Sequence, residues 1–440
     1  MMSKSINRLF IIVFGAICGI ALHLTAGCSS CSNGSGSEKD ASMDAVDENG
    51  SDGGTDTDAD ADSDSGGDSD TDTDTDSDSD ADGDADSDSG PEPLPPGCIK
   101  ITPANENGEG WTGMRAIDDD HLVWRWVEHG PPFEYILMVR ELSTGKEREL
   151  LRETTPDQIY SPAIHGSNVT FSRSVDINDG YTREIFLIKL DETEEKRLTN
   201  NEFSDANPIS GDRYIMYSSS QDLGGGKTRK GYRYYDLVSE SEHLVVADSY
   251  LTAGWGFDGS RWIIFLDDEE YILYKFDLEN PGKGTEVLHN GPIGVFNVSF
   301  DHGSHEAIIG VNIPGETDLF DLWLWNPETG DYEVLLSEPW DQGLADFDGH
   351  VVAYADSQAN GDGWFTGDNW AEVKIIDRDT KEKRTITSMD RFYGIGIWDR
   401  YLAFNNWGMW GDSIILCDLV EGGFMDADGH VIPGDADGGE

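Results

Sequence analysis

The sequence predicts an all-β protein: a single β-propeller of seven four-stranded blades, preceded by a disordered acidic linker. Three observations predict it. The phrase "FDGSRWIIFLD" (Phe257 to Asp267) recurs in altered wording seven times, at a mean spacing of about 47 residues, the period of a four-stranded blade. No stretch of 11 or more residues carries clear helical periodicity. The composition also breaks at Cys98, from Asp, Ser and Thr to Trp, Tyr and branched aliphatics separated by Gly and Asp. The expected boundaries are 1–27 for an export signal, 28–97 for the linker, 98–424 for the propeller and 425–440 for an acidic tail.

The N-terminus carries Lys4 and Arg8 ahead of Leu9 to Leu24, an apolar run of 16 residues. That length is short for a membrane-spanning helix and suits a signal peptide. The run ends in "LTAGC" (Leu24 to Cys28), which resembles the lipobox of bacterial lipoproteins. The resemblance implies that Cys28 is diacylated and becomes the new N-terminus. Thr25 stands where the usual pattern has Leu, and Leu24 lies one position further out. Ser29 after the lipid-bearing cysteine implies, within that resemblance, the outer membrane rather than retention in the inner one. An ordinary cleaved signal is the competing reading.

Between residues 38 and 92 there are 23 acids and one lysine. A segment with a charge at every second position and almost no apolar side chains cannot bury enough surface to offset the entropy of ordering. The nearly 70 residues from about Ser29 to Gly97 form a flexible coil of roughly 45 Å mean end-to-end distance, extended further by self-repulsion. "DSDADG" (Asp78 to Gly83) matches the opening of an Asp-rich calcium loop, but Ser89 stands where such a loop needs a bidentate Glu. A solvated spacer is the expectation.

From Cys98 onward each unit opens with a hairpin: an apolar residue, a tight polar turn, then β-branched and aromatic residues. The seven hairpins start at Ile117, Ile164, Ile209, Phe257, Phe300, Phe347 and Ile397. Each continues into a further apolar run, a polar turn such as "STGKE" or "PETGD", and a short closing strand. The seventh unit lacks a convincing closing strand after "SIILCDL" (Ser413 to Leu419). "CIKIT" (Cys98 to Thr102) is expected to supply it, which sets Cys98 beside Cys417. In an exported protein the pair is expected to form a disulfide, with two buried thiols as the alternative. "RLTNNEFSDANPISGDRYIMYSS" (Arg197 to Ser219) resembles the repeat of TolB-type propellers, through Leu198, Thr199, Asp205, Pro208 and Ser210. The turn here reads Gly211-Asp212, the reverse of the family's Asp-Gly. A linker stands where TolB has an α/β domain, so a role in the Tol envelope system does not carry over.

Charge limits the chemistry. The chain has a formal charge of −57, and residues 99–440 hold 64 acids against 27 bases. Such a surface repels phosphate backbones, so nucleic-acid binding is excluded; it favours cations, basic partners and solubility. No G-x-S-x-G, H-E-x-x-H or P-loop is present. "DLGGGKTRKG" (Asp222 to Gly231) has some residues of a phosphate loop but sits between two strands, and reads as a flexible hairpin loop. His165, His302, His305 and His350 fall at or near hairpin turns, where they either cap the turn or converge on a channel metal. The loops between second and third strands share a face with the blade-to-blade connections, a common place for binding. Two of them, "DSQANGDGWFTGDNW" and "NNWGMWGD", bring Trp364, Phe365, Trp370, Trp407 and Trp410 to adjacent blades. Aromatics among Asn and Asp suit sugar stacking or a protein hot spot, unless they fold back over the blade edges. Asp176, Asn178 and Asp179 could bind Ca2+, although their spacing is shorter than that of an EF-type loop.

These readings predict a monomeric, lipid-anchored envelope or surface protein whose propeller is a binding scaffold for a protein or glycan. The alternatives are a polysaccharide lyase or hydrolase with a channel metal, and a structural surface protein without a dedicated ligand.

Overall fold

A computed structural model describes residues 93–101, 108–111, 116–154, 157–176, 182–224, 227–247, 254–267, 271–291, 293–301, 303–313, 320–339, 341–357, 371–389, 392–406 and 413–434. Among them there is no α-helix and one short 3-10 turn, Pro281–Lys283. Among the described residues no helix is long and apolar enough to cross a membrane.

The strands form seven antiparallel sheets in a propeller ring. Blade 2 runs Ile159–His165, Asn168–Asp176, Thr182–Lys189 and Lys196–Arg197; blade 6 runs Asp341–Asp348, Val351–Ser357, Ala371–Asp377 and Lys383–Met389. Blade 1 is irregular: its innermost strand is split into Gly108–Trp111 and Ile117–Asp118, both paired with His121–Glu128. Blade 7 has three strands from the C-terminal end of the chain, Phe392–Trp398, Tyr401–Asn406 and Ser413–Asp418. Its fourth is Cys98–Ile101, in register Cys98 with Cys417 and Ile101 with Ile414. Cys98 and Cys417 are disulfide-bonded. The ring is therefore closed by pairing its two ends, which removes an exposed sheet edge.

Hydrophobic clusters lie at every blade-to-blade interface, including Phe257 with Tyr214 between blades 3 and 4, and Phe347 with Leu322 between blades 5 and 6. Middle strands are covered on both faces, which is why they read as unbroken apolar runs rather than alternation. All seven residues of Val351–Ser357 are buried. Near the axis the wedges converge and side chains run out of room: a Cβ on Gly256 would lie 2.7 Å from the Val298 carbonyl oxygen, and one on Gly396 would lie 2.7 Å from Ile117 Cγ2.

The recurring hairpin turn has a role of its own. Its aspartate reaches the turn of the next blade. Asp118 accepts from the Gly166 N–H at 2.8 Å and Asp301 from the Gly349 N–H at 2.8 Å. Asp258 meets His305 Nδ1 at 2.7 Å. These aspartates are at most 5% exposed, so each bond is sheltered and worth more than a surface contact. A second signature fixes the other turn: Arg213, Arg261 and Arg400 pair with Asp236, Asp277 and Asp418 at the ends of third strands. Those aspartates also accept backbone N–H groups of the following turn, such as Val238, Glu279 and Val420.

Two stretches differ from the sequence expectation. Asp222 to Gly231, read as a loop, is strand up to Gly224 and again from Lys227. Apolar and polar residues alternate poorly there, so the period-2 signal is weak. Residues 425–434, expected within the acidic tail, pack on blades 6 and 7: Phe424, Met425 and Val431 are buried. Met425 bridges Val431, and His430 Nδ1 lies 2.9 Å from Asp377 Oδ2.

Candidate functional site

The upper face of the ring carries the loops between second and third strands, and the lower face carries the hairpin turns. Trp364, Phe365, Trp370, Trp407, Trp410, Asn178 and Asp179 lie outside the described residues, as do Cys28, His302 and the acidic linker through residue 92. Asp176 ends the second strand of blade 2, paired with Thr182. What the structure fixes is where the Trp-bearing loops spring from. One leaves Ser357 and returns at Ala371 in blade 6; the other leaves Asn406 and returns at Ser413 in blade 7. Blades 6 and 7 pack through their innermost strands, and blade 7 packs in turn on blade 1.

Blade 1 offers the corresponding loop in described form. Its strands His121–Glu128 and Glu134–Glu141 are joined by His129, Gly130, Pro131, Pro132 and Phe133. These five residues line an open hollow of about 610 Å³. Phe133 is 45% exposed, and the His129 ring stands edge-on to it at 5.6 Å. A protruding aromatic held by two prolines loses little entropy on binding, which suits a contact surface.

At the upper strand ends of blades 6 and 7 lies a buried polar layer: Asp341, Gln342, Asp356, Ser357, Asn405 and Ser413. Lys374 pairs with Asp356 and lies 2.7 Å from Glu372. Burial raises the Asp356 carboxyl above its usual range although Lys374 opposes the shift. Its Oδ1 is buried without a hydrogen-bond partner among the described residues. Burial likewise raises Asp341, against the Phe320 N–H donated at 3.0 Å.

A second buried polar cluster joins blades 2 and 3, and it is built from the residues that carried the TolB-type resemblance. Thr199 accepts the Ile185 N–H at 2.9 Å and donates to Glu184, which also receives Arg197 at 2.9 Å. Asp205 is fully buried and accepts from Ser219 at 2.6 Å and Asn201 at 2.9 Å. Ser210 shares a hydrogen bond with Thr170 at 2.7 Å. Burial lifts Asp205 to about 7, a shift that the bonds from Ser219, Asn201 and Thr199 only partly oppose. A carboxyl near 7 is what a general acid or base requires, but this one touches no solvent and both oxygens are engaged. The cluster joins blades; it does not face a substrate.

The lower-face histidines act as turn partners. His165 Nδ1 lies 3.0 Å from Asp118 and His350 Nδ1 lies 2.8 Å from Asp379. No group of three or more His, Cys, Asp or Glu able to hold a metal occurs among the described residues. Ser161, Asn207, Asn297, Leu344 and Ile395 are among the accessible residues of the innermost strands. Ser161 Oγ donates to Asn207 Oδ1 at 2.9 Å across two blades.

No family model and no curated protein matches the sequence. Solved structures match the fold. An oligogalacturonate lyase from Vibrio parahaemolyticus aligns at TM-score 0.53 and 11% identity, over 74% of this chain and 97% of its own. An oligogalacturonate lyase in complex with manganese aligns at 0.54 and 11%, over 74% and 96%. The β-propeller domain of the Trilobed protease from Pyrococcus furiosus aligns at 0.52 and 11%, over 70% and 96%. At such identity the likeness establishes the shared propeller, and function has to be argued from sites.

Proposed function

We propose that the protein is an exported lipoprotein, anchored through Cys28, whose propeller binds a glycan or protein on its upper face at blades 6, 7 and 1. One observation carries the reading. The two Trp-bearing loops and the Phe133 hollow spring from three consecutive blades, on the same face, because Cys98–Ile101 closes blade 7 against blade 1. The strand ends that anchor the first two loops lie on the same side of the ring as Phe133, the side on which a stacking or hot-spot surface would form. The acidic linker serves as a solvated spacer between lipid and propeller.

The test is a glycan array and an envelope-protein overlay with the full chain and a Trp364→Ala, Trp407→Ala double variant. Loss of binding at an unchanged melting temperature supports the surface. A large fall in melting temperature shows the two rings to be core and removes it. Membrane fractionation of Cys28→Ala checks the anchor: release into the soluble fraction is expected, and unchanged sedimentation with membranes contradicts lipidation.

A further inference from the structure

The central hairpin of blade 3 is the longest in the described ring, with strands Tyr214–Gly224 and Lys227–Asp236 of 11 and 10 residues. Towards its upper end it carries Arg229 and Lys230, basic residues in a domain of net charge −37. Between this hairpin and blade 4 lies a cavity of about 250 Å³, lined by Asn207, Ser218, Ser219, Ser220, Lys230 and Trp255 among others. A smaller hollow of about 50 Å³ holds Arg229 and Arg233 beside Phe203, and shares Ser219, Lys230 and Gly231 with the first.

Hydrogen bonding inside the cavity restricts what can enter. Ser218 donates to the Ala206 carbonyl at 2.9 Å, Ser219 to Asp205 at 2.6 Å and Ser220 to the Ser204 carbonyl at 3.4 Å. Ser219 points to the opposite face of the strand, at Asp205, while the hydroxyl protons of Ser218 and Ser220 are committed on the cavity side, so towards the cavity these two serines offer acceptor lone pairs. Asn207 shows the reverse. Its Oδ1 is taken by Ser161, which leaves its amide hydrogens to donate. Lys230 adds a cationic donor with no acceptor capacity. A complementary ligand therefore presents an anion to Lys230 and Asn207 and hydroxyl donors to the serines. A bare anion satisfies only the first half, a neutral sugar only the second.

We infer that this cavity is a binding site for a hydroxyl-bearing carboxylate, an acidic sugar unit, held by Lys230 and Asn207 at the carboxylate and by Ser218 and Ser220 at its hydroxyls. A volume of about 250 Å³ lies just below the usual range for small-molecule pockets and admits one sugar ring rather than a chain segment. The site stands on blades 3 and 4 and does not depend on the Trp-bearing loops.

Calorimetric titration of the full chain with D-glucuronate, D-glucose, acetate and a poly-aspartate peptide tests it. Glucuronate is expected to bind at least tenfold more tightly than glucose or acetate. Lys230→Ser, a change on an exposed residue, should lower glucuronate affinity at least tenfold with the melting temperature unmoved. The Ser218→Ala, Ser220→Ala variant should weaken glucuronate while leaving acetate unchanged. The Trp364→Ala, Trp407→Ala variant should retain full glucuronate affinity. Glucose binding as well as glucuronate, a Lys230→Ser variant binding as well as the wild type, or tighter binding of poly-aspartate would overturn the inference, the last by making the site one for acidic peptide.

Discussion

Replacing Asp205 by Asn should change how stability depends on pH, and the size follows from the site. Asp205 is fully buried between blades 2 and 3, and its carboxyl is raised to about 7. In the unfolded chain an aspartate titrates near 3.9. A group whose pKa is higher in the folded state contributes stability that is complete below the unfolded value and lost as pH rises through the folded one. The window here is about pH 4 to 7. A difference of about three units corresponds to about 4 kcal/mol at most. Asn cannot ionise; its Oδ1 can still accept the Ser219 hydroxyl, while its Nδ2 cannot accept from Asn201, which lowers the variant by an amount that does not change with pH. Near pH 4.5 the variant should thus fall below the wild type; at pH 8 it should be the more stable. Asp341 and Asp356 are raised as well, so both proteins lose stability with pH and only the difference between them isolates Asp205. Thermal unfolding at half-unit pH steps reads that difference as several degrees between pH 4.5 and 8. Parallel curves for the two proteins would refute the reasoning and show Asp205 ionised in the folded state.

Opening the ring closure by Cys98→Ser with Cys417→Ser should cost about 6 kcal/mol on the chain-entropy account of a loop spanning 319 residues. Urea midpoints of the variant and of reduced wild type should coincide well below that of the oxidised protein, and equal midpoints for all three would contradict the covalent closure. Gly256→Ala forces a Cβ within 2.8 Å of the Val298 side chain and should destabilise by about 1–3 kcal/mol; a neutral result in denaturant titration argues against close approach at the axis. His430 is raised by its bond to Asp377, so its interaction favours the folded C-terminal turn below about pH 6.5 and fades as pH passes the raised value. An NMR titration of the His430 ring should give a value above 6.5 that drops in Asp377→Asn; an unshifted ring in the wild type contradicts the pairing.

The blades were legible in the sequence because the hairpin phrase repeats, and repetition survives the loss of any single residue. Closure was legible for a different reason: unit seven is one strand short and Cys98 has one partner in the folded region. The linking role of the turn aspartates was not. Asp118 to Gly166 and Asp301 to Gly349 each span 48 residues, one repeat, so these contacts have meaning only once the ring is built. His305 was ambiguous for the same cause, since its partner Asp258 lies 47 residues back. The TolB-type motif of blade 3 proved to be an interblade polar cluster, which residue identity alone cannot separate from a catalytic one. The cavity beside Lys230 depends on which serine protons are already spent, a matter of three-dimensional pairing that no spacing reveals. The blade 6 and 7 aromatics lie beyond the described residues, and only their strand anchors are fixed.

Hydrogen exchange by mass spectrometry, on the full chain with and without a ligand recovered from the array or overlay, measures the binding face directly. Slowed exchange confined to 358–370, 407–412 and 129–133 is the predicted pattern. Protection concentrated instead at the lower-face turns, such as 165–168 and 348–351, would place recognition on the opposite side of the ring and contradict the account.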